Sequence, residues 1–167
     1  MTQSVVTGEP PKVERLPLVP LRDVVVFPYT MIPFVVGRKT SLQAEEHALS
    51  TDQRLLLSTQ RDARTDEPKP EEITHLGTVV NIVQSLKLPN GNIKLLVEGV
   101  SRGKVTQIEE SEGFLVAAVE TVDVRPEITP EMETEMGKAV SLFEKYVKLS
   151  PNLPYETMIS TIRVSEP

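Results

Sequence analysis

The sequence predicts an α+β domain, mainly β: a barrel of about six short strands with one small helix, followed by a C-terminal helical extension. Three observations predict it. Prolines at 17, 20, 28 and 33 interrupt the richest apolar segment, Leu16 to Phe34; each removes a backbone donor and fixes φ, so the run reads as short extended pieces and bends, placed at edges and corners. Two β-rich runs, Gly77 to Leu88 and Asn92 to Val100, meet at Pro89-Asn90-Gly91, where Asn-Gly supplies the positive φ angles of a tight hairpin. Beyond Arg125-Pro126 the apolar period turns helical, with Met132, Met136, Ala139, Val140, Phe143 and Val147 on one side of a helix over about 130–149.

Taken in order, residues 1–14 are polar and aperiodic, with Pro10-Pro11, and predict a mobile tail. The barrel domain is expected over 15–125. Arg22-Asp23, an opposite-charge pair between two apolar pieces, marks a surface turn. Thr40 and Gln43 have capping-box spacing for a helix over about 41–50, whose apolar side is Leu42, Ala44, Ala48 and Leu49. Arg54 to Gln60 is a buried strand, and Arg61 to Glu72 a charged loop. In the second hairpin arm Ile93, Leu95 and Val97 alternate with Lys94 and Glu98, but Leu96 breaks the polar set, as expected where a closed sheet covers part of its outer face. Lys104 to Ile108 and Phe114 to Val124 add two strands around the polar turn Glu109 to Gly113. Closure into a barrel would remove most exposed edges. Thr129-Pro130-Glu131 starts the long helix with a cap, a first-turn proline and an early acid. Residues 126–167 therefore read as the start of a helical region, with a second helix from Pro154 carrying Met158, Ile159 and Ile162 and a chain end that looks truncated.

Composition narrows the function. The 167 residues are 39% hydrophobic and 25% charged, with 14 prolines and 4% aromatics, a balance that favours aliphatic packing between strands. Formal charge is −6, without the basic footprint that drives nucleic-acid binding; Arg38-Lys39, Arg102 with Lys104, and Lys145 with Lys148 are not interleaved with stacking aromatics. No apolar stretch reaches membrane-spanning length, and no signal-peptide core precedes Lys12. Cysteine is absent, which excludes disulfides and thiolate metal sites.

No catalytic constellation stands out. A glycine-rich phosphate loop followed by lysine and serine or threonine is missing. His47 and His75 have no spacing that makes them joint ligands. Ser141 and Lys145 lie four apart on one helix face but lack a nucleophile turn and oxyanion donors. Glu109, Glu110 and Glu112 read as a solvated turn. What remains is apolar surface. Phe27, Tyr29, Met31, Ile32 and Phe34 crowd around Pro28 and Pro33, and two readings stand: a plug in the barrel mouth, or a patch for extended, unfolded polypeptide. Met132 and Met136 invite the same pair of readings, helical core or adaptable binding surface.

The order Leu16-Pro17, Val19-Pro20, Leu21-Arg22-Asp23, Val24 to Val26 and Phe27-Pro28 resembles the opening of the N-terminal domain of the ATP-dependent protease Lon. Ile32-Pro33, Val36-Gly37-Arg38, Gly77-Thr78-Val79, Leu88-Pro89-Asn90-Gly91 and Val97-Glu98-Gly99 continue the resemblance at similar spacing. It implies a PUA-like pseudo-barrel that recognises unfolded or damaged protein substrates and aids hexamer assembly. It also implies a catalytically silent chain, with no cofactor of its own, serving a parent serine endopeptidase whose ATP, magnesium and Ser-Lys dyad belong to other domains. A cytoplasmic location is expected, with neither membrane nor nucleic acid as partner. Two alternatives remain: a free-standing domain of this family without ATPase, and an RNA-binding module of PUA-like type.

Overall fold

In the computed structural model the described residues are 13–122 and 129–150, and they fall into two compact units divided after Asp123. The tail before Val13, the change of period at Arg125-Pro126 and the helix expected from Pro154 lie outside the described residues.

The first unit holds six strands and a helix: β1 (Val13–Leu21), β2 (Met31–Val36), α1 (Lys39–Ser50), β3 (Arg54–Thr59), β4 (Leu76–Lys87), β5 (Ile93–Ser111) and β6 (Phe114–Val122). Val13 and Glu14, which the sequence reading assigned to the tail, belong to β1. The sheet runs β2-β5-β4-β3-β1-β6, and a further pairing of β5 with β6 closes five of the strands into the expected pseudo-barrel.

Despite its prolines, β1 sits inside the sheet, where edges and corners were expected. It pairs antiparallel with β6 from Val13 to Leu18 and parallel with β3 from Leu18 to Leu21. Pro17 therefore lies before the β3 ladder begins and Pro20 after the β6 ladder ends. Each proline meets one neighbouring strand only, so the strand is locally an edge wherever a donor is missing. Its unbroken apolar run follows from burial on both faces. Leu16 and Leu18 join one core cluster with Leu56, Ile73, Val79, Val105 and Val119; Val19 and Leu21 join another with Ala44, Ala48, Leu55, Leu57 and Leu95.

β5 is one strand of 19 residues where the sequence suggested two, Asn92 to Val100 and Lys104 to Ile108. The polar-and-glycine stretch Ser101-Arg102-Gly103 reads as a break but is a close approach: a Cβ on Gly103 would stand 2.4 Å from Val119 Cγ1. The hairpin before it also differs in detail. Gly91 N–H donates to Leu88 O at 3.0 Å and Leu88 N–H to Asn92 O at 2.8 Å, and only Gly91 takes a positive φ, of 84°. Pro89 at the first corner fixes a negative φ, giving a three-residue loop with one left-handed glycine instead of an Asn-Gly two-residue turn.

α1 packs on the flank made by β1, β3 and β6. Its N-cap is Arg38, without a side-chain cap, so Thr40 lies within the first turn and the expected capping box is not formed. Ser41, Ala44, Glu45 and Ala48 are its buried face, while Leu49, assigned to the apolar side, is exposed. Buried Glu45 is satisfied by Ser85, whose hydroxyl donates to Oε1 at 2.7 Å.

The second unit contains α2 (Pro130–Leu149). Thr129 caps it as expected, its hydroxyl accepting from Met132 N–H at 3.3 Å. Met132, Met136, Val140, Phe143 and Val147 are half-buried; Leu142, Tyr146 and Leu149 are exposed.

Candidate functional site

The connection between β1 and β2, residues 22–30, is where apolar side chains stay in solvent. Val24, Val25, Phe27, Tyr29 and Met31 are all exposed, Tyr29 at 91%. The backbone beneath them is held at several points. Thr59 Oγ1 donates to Val24 O at 2.8 Å and Thr78 Oγ1 to Val26 O at 2.5 Å, which ties the extended part to β3 and β4. Val26 points into the core, so its neighbours Val25 and Phe27 point out.

The turn that follows is fixed to β5. Tyr29 N–H donates to Gly99 O at 2.8 Å, Gly99 N–H donates to Thr30 O at 2.9 Å, and Thr30 Oγ1 donates to Phe27 O at 2.6 Å. Gly99 is required there, since a Cβ would lie 2.2 Å from Phe27 O and 3.1 Å from Pro28 Cα. Within this clamp Tyr29 takes φ 62°, a left-handed conformation that costs a non-glycine residue roughly 1–2 kcal/mol. The fold thus strains its backbone at a large aromatic that packs on almost nothing.

The five apolar residues singled out in sequence do not share one surface. Phe27, Tyr29 and Met31 are exposed, whereas Ile32 and Phe34 are half-buried and pack against the core. Strand alternation separates them, Met31 falling on the opposite face of β2 from Ile32 and Phe34. Met132 and Met136 stand on α2, in the other unit, and are half-buried. The residue that sequence reasoning missed is Gly99; Val97-Glu98-Gly99 was noted as a motif, but its partner is a turn seventy residues earlier.

Beside the turn, a cleft of about 510 Å³ opens between residues 19–26 and β2. Val19, Val26, Ile32, Phe34 and Val36 give it aliphatic and aromatic walls, and Arg38 stands on its lining. Arg38 is anchored by Nη1 donating to Pro20 O at 3.2 Å and Nη2 donating to Gln60 Oε1 at 2.7 Å. Buried Gln60 in turn donates from Nε2 to Asp62 O at 2.7 Å and Thr65 O at 2.8 Å, binding the charged loop to the barrel. Burial, reinforced by the nearby charge of Arg22, lowers the pKa of Arg38 from its ordinary value. Arg22 itself donates to Asp66 at 2.7 Å, which holds that carboxyl below the usual range.

The titratable residues weighed as chemistry are dispersed. His47 stacks at 5.0 Å on Phe114, and His75 Nδ1 lies 3.1 Å from Val105 O. Glu109 pairs with Arg15, and Ser141 and Lys145 are both exposed on α2. Among the described residues no group of three His, Asp or Glu is placed to hold a metal ion.

Comparison with known proteins gives a consistent result. The family profile described as the ATP-dependent protease La (LON) substrate-binding domain matches residues 15–167. The chain is 56% identical over 154 residues to the Lon protease of Solibacter usitatus, covering 92% of this chain and 19% of that protein. It is 42% identical over 156 residues to the Lon protease of Desulforamulus reducens, again covering 19% of the relative. The chain thus spans about a fifth of the length of these curated relatives. In fold it is similar to the N-terminal domain of Mycobacterium avium complex Lon protease, with a TM-score of 0.68, 18% identity and coverage of 91% of this chain and 76% of that one. A Lon N-terminal domain protein from Xanthomonas campestris matches with a TM-score of 0.60, 22% identity and coverage of 81% and 75%. With the family profile matching from β1 onward and relatives above 40% identity over nearly all its length, this chain belongs to the Lon substrate-binding domain family.

Proposed function

We propose that this domain captures unfolded or damaged polypeptide for an ATP-dependent serine protease, using the exposed turn that carries Phe27, Tyr29 and Met31. The observation that carries the reading is Tyr29, an aromatic 91% exposed and clamped in a left-handed backbone by bonds to β5. Strain kept at a side chain that contributes little packing points to a role in recognition. Exposed aromatic and thioether groups on a pre-organised turn suit apolar segments of variable sequence. In this reading proteolysis, ATP and magnesium belong to the parent protein. So does hexamer assembly, to which this domain contributes; the setting is the cytoplasm.

The test is Tyr29→Gly, studied alongside Phe27→Ser, with a labelled, permanently unfolded protein and its folded counterpart as ligands. Removing the left-handed tyrosine leaves stability unchanged or raises it by up to about 1 kcal/mol, because strain relief is partly offset by the freer unfolded chain. Affinity for the unfolded ligand falls at least tenfold, as for loss of an aromatic anchor. Full affinity in both variants overturns the assignment to this turn.

A further inference from the structure

The cleft beside β2 combines two features that the exposed turn lacks: depth and a fixed cation. We infer that it binds the free C-terminal residue of a polypeptide, the α-carboxylate on Arg38 and an aliphatic side chain against Val26, Ile32, Phe34 and Val36. This rests on the reading of the domain as a polypeptide binder and adds a second, chemically distinct subsite to it.

The charge argument begins with the neighbours of Arg38. Of its five N–H donors, two are used, on Pro20 O and Gln60 Oε1, and both hold the guanidinium in place without neutralising it. Arg22 is the residue that takes Asp66, so among the described residues Arg38 has no carboxylate within ion-pair distance. Asp66 and Glu67 act on it only from farther away, and Asp23 lines the outer part of the cleft. A half-buried guanidinium whose ring of donors is incomplete gains most from a carboxylate, which can take two parallel bonds.

The apolar walls decide which carboxylate. An Asp or Glu side chain brings charge but no apolar group of its own. A C-terminal leucine or valine carries charge and hydrocarbon on one Cα, so both reach their partners in one cleft. The volume, about 510 Å³, lies in the range of small-ligand sites. Capture of a terminal carboxylate is also an established mode of peptide recognition.

The experiment is fluorescence anisotropy of the whole chain with three dye-labelled, unstructured pentapeptides of otherwise equal sequence. One ends in leucine as the free acid, one in leucine amide, and one in leucine amide preceded by glutamate. The free acid binds ten- to a hundredfold tighter than the plain amide, the span expected of a charge-assisted hydrogen bond pair. Arg38→Gln, checked for folding by its thermal transition, removes that difference. Should Arg38→Gln fail to fold, the three-peptide comparison on the unaltered chain decides alone. Equal binding of acid and amide, absence of binding by the acid, or equal binding of the glutamate-bearing amide overturns the inference. So does an acid preference that survives Arg38→Gln. A permanently unfolded protein with an amidated C-terminus runs in parallel. Its binding together with equal acid and amide affinities removes the C-terminal subsite and leaves the turn. Its failure to bind, with the acid preference intact, removes the turn and leaves the subsite.

Discussion

Gly99→Ala tests whether the tyrosine turn is built on β5. The added Cβ would stand 2.2 Å from Phe27 O, 3.0 Å from Phe27 C and 3.1 Å from Pro28 Cα, all backbone atoms that no rotamer change can move aside. Relief requires the Phe27 carbonyl to retreat by roughly 1 Å, a shift of the size that costs an overpacked site about 1–3 kcal/mol. The same retreat stretches the bonds from Tyr29 N–H to Gly99 O and from Gly99 N–H to Thr30 O, now 2.8 and 2.9 Å, beyond hydrogen-bonding range. Each adds about 0.5–1.5 kcal/mol if nothing replaces it, but water reaches an exposed turn, so the lower end applies. The expected total is about 2–4 kcal/mol. Urea unfolding reads it as a lower midpoint at unchanged slope, and binding of an unfolded ligand falls because Phe27 and Tyr29 lose their common base. A variant within about 0.5 kcal/mol of the parent chain that binds at full affinity would refute both the clamp and its role.

Three further outcomes follow from the geometry. Ser85→Ala leaves the buried Glu45 carboxylate without its donor and lowers stability by about 1–3 kcal/mol in urea unfolding, whereas Ser85→Thr, which keeps a hydroxyl, recovers most of it. Thr129→Ala removes the cap of α2 at a cost of about 1 kcal/mol to that helix, visible as lost helical circular dichroism and faster amide exchange at Met132. Asp66 titrates below its ordinary value of 3.8 because Arg22 bonds the charged form; its contribution to stability is present above pH 3.8 and is lost as pH falls through the depressed folded value. In Arg22→Gln the carboxyl resonances of Asp66 titrate closer to 3.8, and an unmoved midpoint excludes Arg22 as the cause.

Local chemistry accounts for what the sequence made legible. The helix starting at Thr129-Pro130, the strand over Arg54 to Thr59 and the existence of the Pro89 to Gly91 hairpin depend on residues close together in the chain. The errors arose where a distant neighbour decides. Pro17 and Pro20 argued against an interior strand, and only the offset ladders of β3 and β6 show how both are accommodated. The stretch Ser101 to Gly103 read as a break between strands, but Val119 of the neighbouring β6 lies against Gly103 and the strand runs on. Leu49, expected on the apolar side, is exposed, while Glu45, which the sequence did not single out, is buried because β4 brings Ser85 to its carboxylate. At the candidate site, the apolar character of residues 24–34 was plain in the sequence. Its division into exposed Phe27, Tyr29 and Met31 and half-buried Ile32 and Phe34 required strand alternation and the clamp on Gly99. The cleft cation was hidden for the same reason, since Arg38 becomes notable only beside Gln60 and Pro20.

The double pairing of β1 bears on how the protein is made. Its parallel partner β3 ends at Thr59, but its antiparallel partner β6 does not begin until Phe114, and Leu16 finds Ala117 only then. A ribosome adding 5–20 residues per second needs roughly 3–12 s to go from the end of β3 to the end of β6. Throughout that interval Leu16 and Leu18 lack the wall that buries them in the finished barrel. Contacts so distant in sequence also form slowly once the chain is complete. A domain of a substrate-binding family therefore spends seconds of its own synthesis incompletely folded, with the leucines of its first strand open to any chaperone or to a second nascent copy.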